Sequence, residues 1–266
     1  MFGTSSDIGA RRIVPRSGIM HVHSTLSYDG KHTLAELASF GRACGYSFIG
    51  MTEHSDTFDD AKMRILVDEC ESHSDARFVL IAGIEFSCED NLHLIGLGIR
   101  EFTHLKDPIA VARFIRAQGG VAVVSHPSRY GYEIPPALVG EIDGIEVWNA
   151  SNDSRFVPDK KVIDLWLGLK RRNRALAAFG GQDLHRITRQ RHVRLVLGGG
   201  EDGELTTKHL LERLRAGDFF LSNRYLRVGG DRPPGRVQRS ILACLWHSLV
   251  AAKAIRDVAD RRATRQ

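Results

Sequence analysis

The chain has 266 residues, 42% of them apolar and 26% charged, and its formal net charge is +5. That supports one domain, or one domain with a small appendage, around a full core. No apolar run approaches the roughly 18 residues of a membrane-spanning helix, and Met1 to Met20 lack the apolar stretch of a secretory leader, so no membrane partner is expected. The four cysteines (Cys44, Cys70, Cys88, Cys244) have no C-x-x-C spacing and are expected to be reduced, which favours the cytoplasm. Charge is uneven: from Asn223 to Gln266 there are ten Lys/Arg against three Asp, so this stretch carries +7 and the remainder −2. The basic tail reads as a solvated helix face or as a surface for nucleic acid or another acidic partner.

In chain order, residues 1–17 show no period and are expected to be a loose extension. A strand over Gly18–His23 leads into a loop. Thr33 and Glu36 then form a capping box, opening a helix that runs to Cys44 and ends on Gly45. Ser47–Thr52 is a short apolar strand before Glu53-His54. A helix is expected over Ala61–Ser72, a strand over Phe78–Ile84 ending at Glu85, and another over Leu92–Ile99 carrying His93. Asp107-Pro108 starts a helix with proline at its first position. Val121–Val124 is a strand leading into His126, and Gly144–Trp148 is one ending at Asn149. Pro158–Lys170 reads as a helix, Ala175–Phe179 as the strand before Asp183-Leu184-His185, and Val193–Leu197 as strand-like. The glycine run 198–200 lacks the lysine of a phosphate loop and is expected to be a turn. Thr206–Arg215 is a helix closed by Gly217, and Phe219–Leu221 is a short strand. After Pro233-Pro234, apolar residues recur at helical spacing over Val237–Val258. Strands and helices alternate, which points to an α/β fold with parallel strands. Ligand-type residues follow the ends of six strands, which favours a barrel, where strand ends converge, over an open sheet.

Six of the twelve histidines join three carboxylates in one series: His21, His23, Asp29, His54, Glu85, His93, His126, Asp183 and His185. Buried together, such groups need partners or lose their charge. Nine N/O donors exceed what one ion takes and suit a cluster of two or three divalent ions. His21 and His23 are two apart on a strand and so share a face. The residues alone thus suggest a multinuclear metal hydrolase.

The stretches HVHSTLSYDG, MTEHSD, GIEF, HLIGLG, SHPSR and GQDLH, in this order, resemble the motifs of the PHP (polymerase and histidinol phosphatase) family over about residues 18–225. The resemblance implies a distorted (β/α)7-type barrel over 18–230, and the pattern beyond Pro233-Pro234 reads as a basic C-terminal helical appendage over 231–266. It implies that His21, His23, Glu85 and Asp183 hold one ion, that Glu85, His93 and His126 hold a second with Glu85 bridging, and that Asp29, His54 and His185 hold a third. The ions implied are zinc, iron or manganese, with a shared hydroxide attacking phosphorus in line with the leaving oxygen. Glu85, Asp183 and His185 are accordingly the expected catalytic residues, His185 also as a proton donor to the leaving group. Glu53 departs from the family, which more often has Asp before this histidine. It is expected to orient His54 or a neighbouring side chain.

Arg129 and Arg186 are candidate phosphate contacts, since a guanidinium can take two phosphate oxygens at once. Asn149 is a candidate pocket residue, and Trp148 is either core or a stacking surface. The other histidines (His32, His73, His104, His192, His209, His247) read as ordinary. The expected function is hydrolysis of a phosphomonoester or of a terminal nucleotide phosphate. The alternatives are a histidinol phosphatase, a 5′-3′ exonuclease on short oligonucleotides that uses the basic tail, a metal-binding regulatory domain without turnover, and a C–N hydrolase.

Overall fold

The computed structural model describes residues 15–189, 193–199 and 204–263. Most of the expected N-terminal extension (1–14), His192 and Gly200 lie outside the described residues.

β1 (Ser17–Val22) is wholly buried and leads through a loop to α1 (Leu34–Ala43). Thr33 caps this helix from its side chain, Glu36 reaches back to the Thr33 backbone, and Gly45 leaves it with a φ of 70°. Leu34, Leu37, Ala38 and Gly41 form its buried stripe. β2 (Phe48–Met51) and β3 (Glu53–His54) are one extended run broken at Thr52. α2 (Asp60–Ser72), capped by Asp59, returns the chain to β4 (Val79–Ile81), and β5 (Gly83–Ser87) follows after a break at Ala82. A tight turn then gives β6 (His93–Leu97). Asp107 caps α3 (Pro108–Ala117), with Pro108 in the first turn, where its missing N–H costs nothing. β7 (Val121–Val124), β8 (Gly144–Asn149), α4 (Lys160–Lys170), β9 (Ala177–Gly181) and β10 (Arg194–Leu197) follow. α5 (Thr207–Ala216) is capped by Thr206 and closed by Gly217 at a φ of 68°. β11 (Phe219–Ser222), β12 (Arg227–Gly229) and α6 (Arg236–Ala263) complete the chain.

The strands form two six-stranded sheets, in the orders β12-β11-β10-β1-β2-β4 and β3-β5-β6-β7-β8-β9. The architecture is the expected mixed α/β, and neither sheet closes on itself. The breaks at Thr52 and Ala82 move two continuous runs from one sheet to the other. Backbone bonds also stitch the sheets beside β1: Gln182 N to Met20 O at 2.9 Å, Leu184 N to His21 O at 3.0 Å and Thr52 N to Val22 O at 2.9 Å.

The strands are also not all parallel. β6 runs antiparallel to both β5 and β7, because residues 88–92 between β5 and β6 are too few for a crossover helix. The reversal has a use. The C-terminal ends of β1, β3, β7 and β9 face one mouth, and β6 brings its N-terminal residue, His93, to that same mouth. β10, β11 and β12 are antiparallel additions beside β1, and β12 was not expected from sequence.

α6 starts after Pro233-Pro234. It buries Leu242 and lays Trp246 and Leu249 against the core. Val237, Ile241, Leu245, Val250 and Ile255 stay exposed along it. No helix among the described residues is long and apolar enough to cross a membrane.

Candidate metal centre

At the mouth, local backbone geometry departs from the regular strand. β1 carries an irregularity between Met20 and Val22, and the residue there, His21, has a φ of 62°. His126, just past β7, has a φ of 27°, and Asp183, just past β9, one of 50°. These left-handed positions are uncommon for residues with a Cβ. His21 and His23 do share a face, but through this irregularity as well as strand alternation. Their ring centroids lie 5.2 Å apart.

Glu85, inside β5 rather than at its end, is 1% exposed and stands at the centre. Its Oε1 is 2.8 Å from His126 Nε2, 3.0 Å from His93 Nδ1 and 3.4 Å from His21 Nε2. Its Oε2 is 3.2 Å from His54 Nδ1 and 3.8 Å from His23 Nε2. Asp183 Oδ1 lies 3.6 Å from the Nε2 atoms of both His21 and His23, and 3.7 Å from His185 Nδ1. Asp29 reaches His54 Nε2 at 3.4 Å and His185 Nε2 at 3.0 Å. All nine residues singled out in the sequence therefore meet. They form one continuous cluster. Ligand-capable atoms group as His21, His23 and Glu85; as His21, His126 and Asp183; as Glu85, His93 and His126; and as His23, His54 and His185. His23 thus stands between the first and third expected sets, stacked on His54 and His185 at 4.2 and 4.3 Å.

The protonation pattern follows from crowding. Burial pushes the His21 pKa down, but the Glu146, Glu85 and Asp183 carboxylates outweigh it and hold it well above its ordinary value. For His23 burial prevails, and its pKa falls to about 4. Burial also works against ionised Glu85 and Asp183. The imidazoles beside them, His21 foremost, overcome it and keep both well below the usual carboxylate range.

The donor set fits divalent cations. His21 Nε2, both ring nitrogens of His23, Asp29 Oδ1 and His126 Nδ1 are buried with no hydrogen-bond partner. Each such atom costs about 1–3 kcal/mol unless something else satisfies it. His54 Nε2 and His185 Nε2 face each other at 3.4 Å, an arrangement that a shared cation explains. Imidazole and carboxylate donors suit zinc, iron and manganese alike.

A surrounding layer of side chains, mostly missed in the sequence, holds these groups. Glu146 is fully buried. It meets His21 Nδ1 at 2.8 Å and accepts from His126 N at 2.9 Å and Asn149 Nδ2 at 3.0 Å. The His21 Nε2 edge is thereby turned toward Glu85 and Asp183. Gly181 makes room for this, since a Cβ there would lie 1.8 Å from Glu146 Oε1. The available signal was a carboxylate within the apolar strand sequence GIEVWN, which a buried strand tolerates only with partners. Asn152 Nδ2 donates to Asp183 Oδ2 at 2.6 Å, and Ser125 Oγ donates to Glu85 Oε1 at 3.0 Å. Glu53 orients a neighbour rather than touching the cluster. It accepts from Ser24 N and from Ser27 Oγ, and Ser27 Oγ in turn accepts from His54 N at 2.9 Å. Burial raises its pKa.

Asn149 is a correction to the expected pocket. It is fully buried, its amide donates to Glu146, and its Oδ1 accepts from Ser151 N, Asn152 N and Asn152 Nδ2. It supports the centre, and its side chain is buried beneath it rather than exposed toward a substrate. Trp148 is also fully buried, with its Nε1 donating to Ser154 O. Arg129 and Arg186 are exposed, on the segments that follow His126 and His185.

No protein-family model matches the chain, and no curated protein matches it. Solved structures do. One is a two-domain protein from Bacteroides vulgatus described as containing a predicted PHP-like metal-dependent phosphoesterase, with a TM-score of 0.60 and 17% identity over 81% of this chain and 67% of that one. A second is a candidate metal-dependent phosphoesterase from Bifidobacterium adolescentis, with a TM-score of 0.51 and 16% identity over 74% and 96%. A third is an amidohydrolase from Chromobacterium violaceum with bound sulfate and no metal, with a TM-score of 0.50 and 15% identity over 77% and 97%. At these identities the likeness is one of fold alone.

Proposed function

We propose that this PHP-like chain is a metal-dependent phosphoesterase that hydrolyses a phosphomonoester or a terminal nucleotide phosphate. One observation carries the reading: His21, His23, His54, His93 and His126 each bring a ring nitrogen within 3.8 Å of the buried Glu85 carboxylate, and His21 Nε2 and His23 Nε2 have no hydrogen-bond partner there. His21, His23, Glu85 and Asp183 would hold one ion, Glu85, His93 and His126 a second, and Asp29, His54 and His185, with His23 beside them, a third. Two or three ions there, zinc, iron or manganese, would lower the pKa of water and neutralise charge developing on a phosphoryl group.

The chain's own residues supply the rest. Glu85 has two oxygens facing different imidazoles and can serve two ions, which an imidazole cannot. Glu146 fixes the His21 ring, and Asn152 fixes Asp183, before substrate arrives. Arg129 and Arg186, exposed on the segments that follow His126 and His185, would take phosphate oxygens. His185, 27% exposed in its side chain, is the most open imidazole of the cluster and can hand a proton to the leaving oxygen. A cytoplasmic setting accords with four unpaired cysteines.

Metal analysis of purified protein, joined to a phosphate-release screen over sugar phosphates, nucleoside mono- and bisphosphates, histidinol phosphate and short oligonucleotides, tests the reading. Metal-replete protein that releases phosphate from none of these would end it. One feature favours the exonuclease variant: residues 232–256 contain five Lys/Arg and no Asp or Glu. Binding of oligonucleotides that weakens steeply with salt and is lost when this helix is removed would single that variant out.

A further inference from the structure

We propose that Tyr28 is a stacking platform at the mouth of the metal centre, selecting phosphate esters whose leaving group is a flat aromatic or heterocyclic ring; this rests on the phosphoesterase reading above. Tyr28 is 65% exposed, yet its ring lies parallel to that of His54, with centroids 5.1 Å apart and planes at 22°. One face is therefore against a candidate ligand while the residue as a whole remains open to solvent.

The loop beneath it is fixed. Ser27, the preceding residue, donates from Oγ to Glu53 Oε2 at 2.5 Å and accepts from His54 N. Ser24 N is held by both oxygens of Glu53. Gly30 packs so closely that a Cβ would lie 1.9 Å from Ser24 O, and Lys31 N donates to His185 O at 3.1 Å. A buried carboxylate and a glycine thus hold the backbone on both sides of an aromatic ring that gains little from burial itself. Rigid presentation of an exposed ring is what a recognition surface needs, since its ordering cost is met before the ligand arrives.

Position then gives the chemistry. Tyr28 stacks on His54 and precedes Asp29 in sequence, both of them candidate ligands. Arg129 is near enough for its charge to bear on the Tyr28 hydroxyl. A phosphoryl group drawn to the His54, His185 and Asp29 side of the cluster would project its organic substituent past this ring. A planar substituent can stack there and an aliphatic one cannot. Stacking tolerates any ring with a π face.

Phenylphosphonate and methylphosphonate, which carry the same charged head and resist hydrolysis, give the direct test on metal-loaded protein. The wild type should bind phenylphosphonate the more tightly. Tyr28→Ala should lose about tenfold of that affinity with little change for methylphosphonate, while Tyr28→Phe and Tyr28→Trp should retain it. On phenyl phosphate the alanine variant should show its loss in KM rather than kcat. Equal weakening toward both phosphonates, no preference in the wild type, or loss in the phenylalanine variant would overturn the proposal. If no ester is hydrolysed but the phosphonate preference depends on the Tyr28 ring, the platform stands and the phosphoesterase reading falls.

Discussion

The mouth and α6 break the usual rule of apolar inside and polar outside in opposite senses. At the mouth, imidazoles and carboxylates are buried; on α6, Val237, Ile241, Leu245, Val250 and Ile255 are exposed. The two departures do not weigh the same. An exposed isoleucine forgoes burial worth roughly 1.5–3 kcal/mol but pays no new penalty, and scattered exposed apolar residues are common. A buried polar atom that has lost water without gaining a hydrogen bond costs about 1–3 kcal/mol, and several lie together here with only longer contacts of 3.4–3.8 Å to their neighbours. The mouth therefore demands an occupant, and α6 does not.

That contrast can be broken most severely at the ligands. His21→Ala or Asp183→Asn should reduce turnover by well over a hundredfold and lower bound metal, exceeding the roughly 10–100-fold expected for supporting residues. Unchanged phosphate release and metal content in both variants would remove the assignment. Next in size, Glu146→Gln should cost about 10–100-fold in metal affinity while the far-ultraviolet circular dichroism stays native. Stripping metal with a chelator should lower the melting temperature by several degrees, because ions that bind only the folded state stabilise it by mass action.

A smaller effect concerns Asp153. Its carboxyl accepts from Ser128 Oγ and Asn149 N, and burial pushes its pKa up to about 7 from an ordinary 3.8. Between those two values the folded protein binds the proton more tightly than the unfolded chain, so stability from this group declines as pH rises toward about 7. Asp153→Asn should flatten that part of the melting-temperature profile, and an unaltered slope would contradict the raised pKa. The least effect is expected on α6, where Ile241→Ser should shift stability by no more than about 0.5 kcal/mol in a denaturant melt.

The sequence showed most clearly what is locally determined. The Thr33–Glu36 capping box, the Asp107-Pro108 start and the Gly217 stop depend on residues within one turn, and each occurs where expected. The breaks at Thr52 and Ala82 depend on which sheet the neighbouring strand belongs to, and no local pattern carries that. The reversal of β6 was concealed by a regular alternation of apolar segments, although the five residues before it were too few for a crossover. At the centre, ligand-type side chains were conspicuous because histidines are few and rarely buried. The groups that hold them were not. Glu146 reads as one polar residue in a strand, and Asn149 at a strand end reads like a pocket residue until its amide is seen to be occupied.

His21, His126 and Asp183 each sit in left-handed backbone, and unusual conformations of this kind typically cost about 1–3 kcal/mol apiece. Glycine would be more comfortable at each place. Stripped of cations, a chain with glycine at position 183 should then lie closer to the native one in resistance to heat than it does with cations supplied. Loading and folding would form a single linked equilibrium, and the strained turns would record how much stability the native sequence gives up to keep a charged guest.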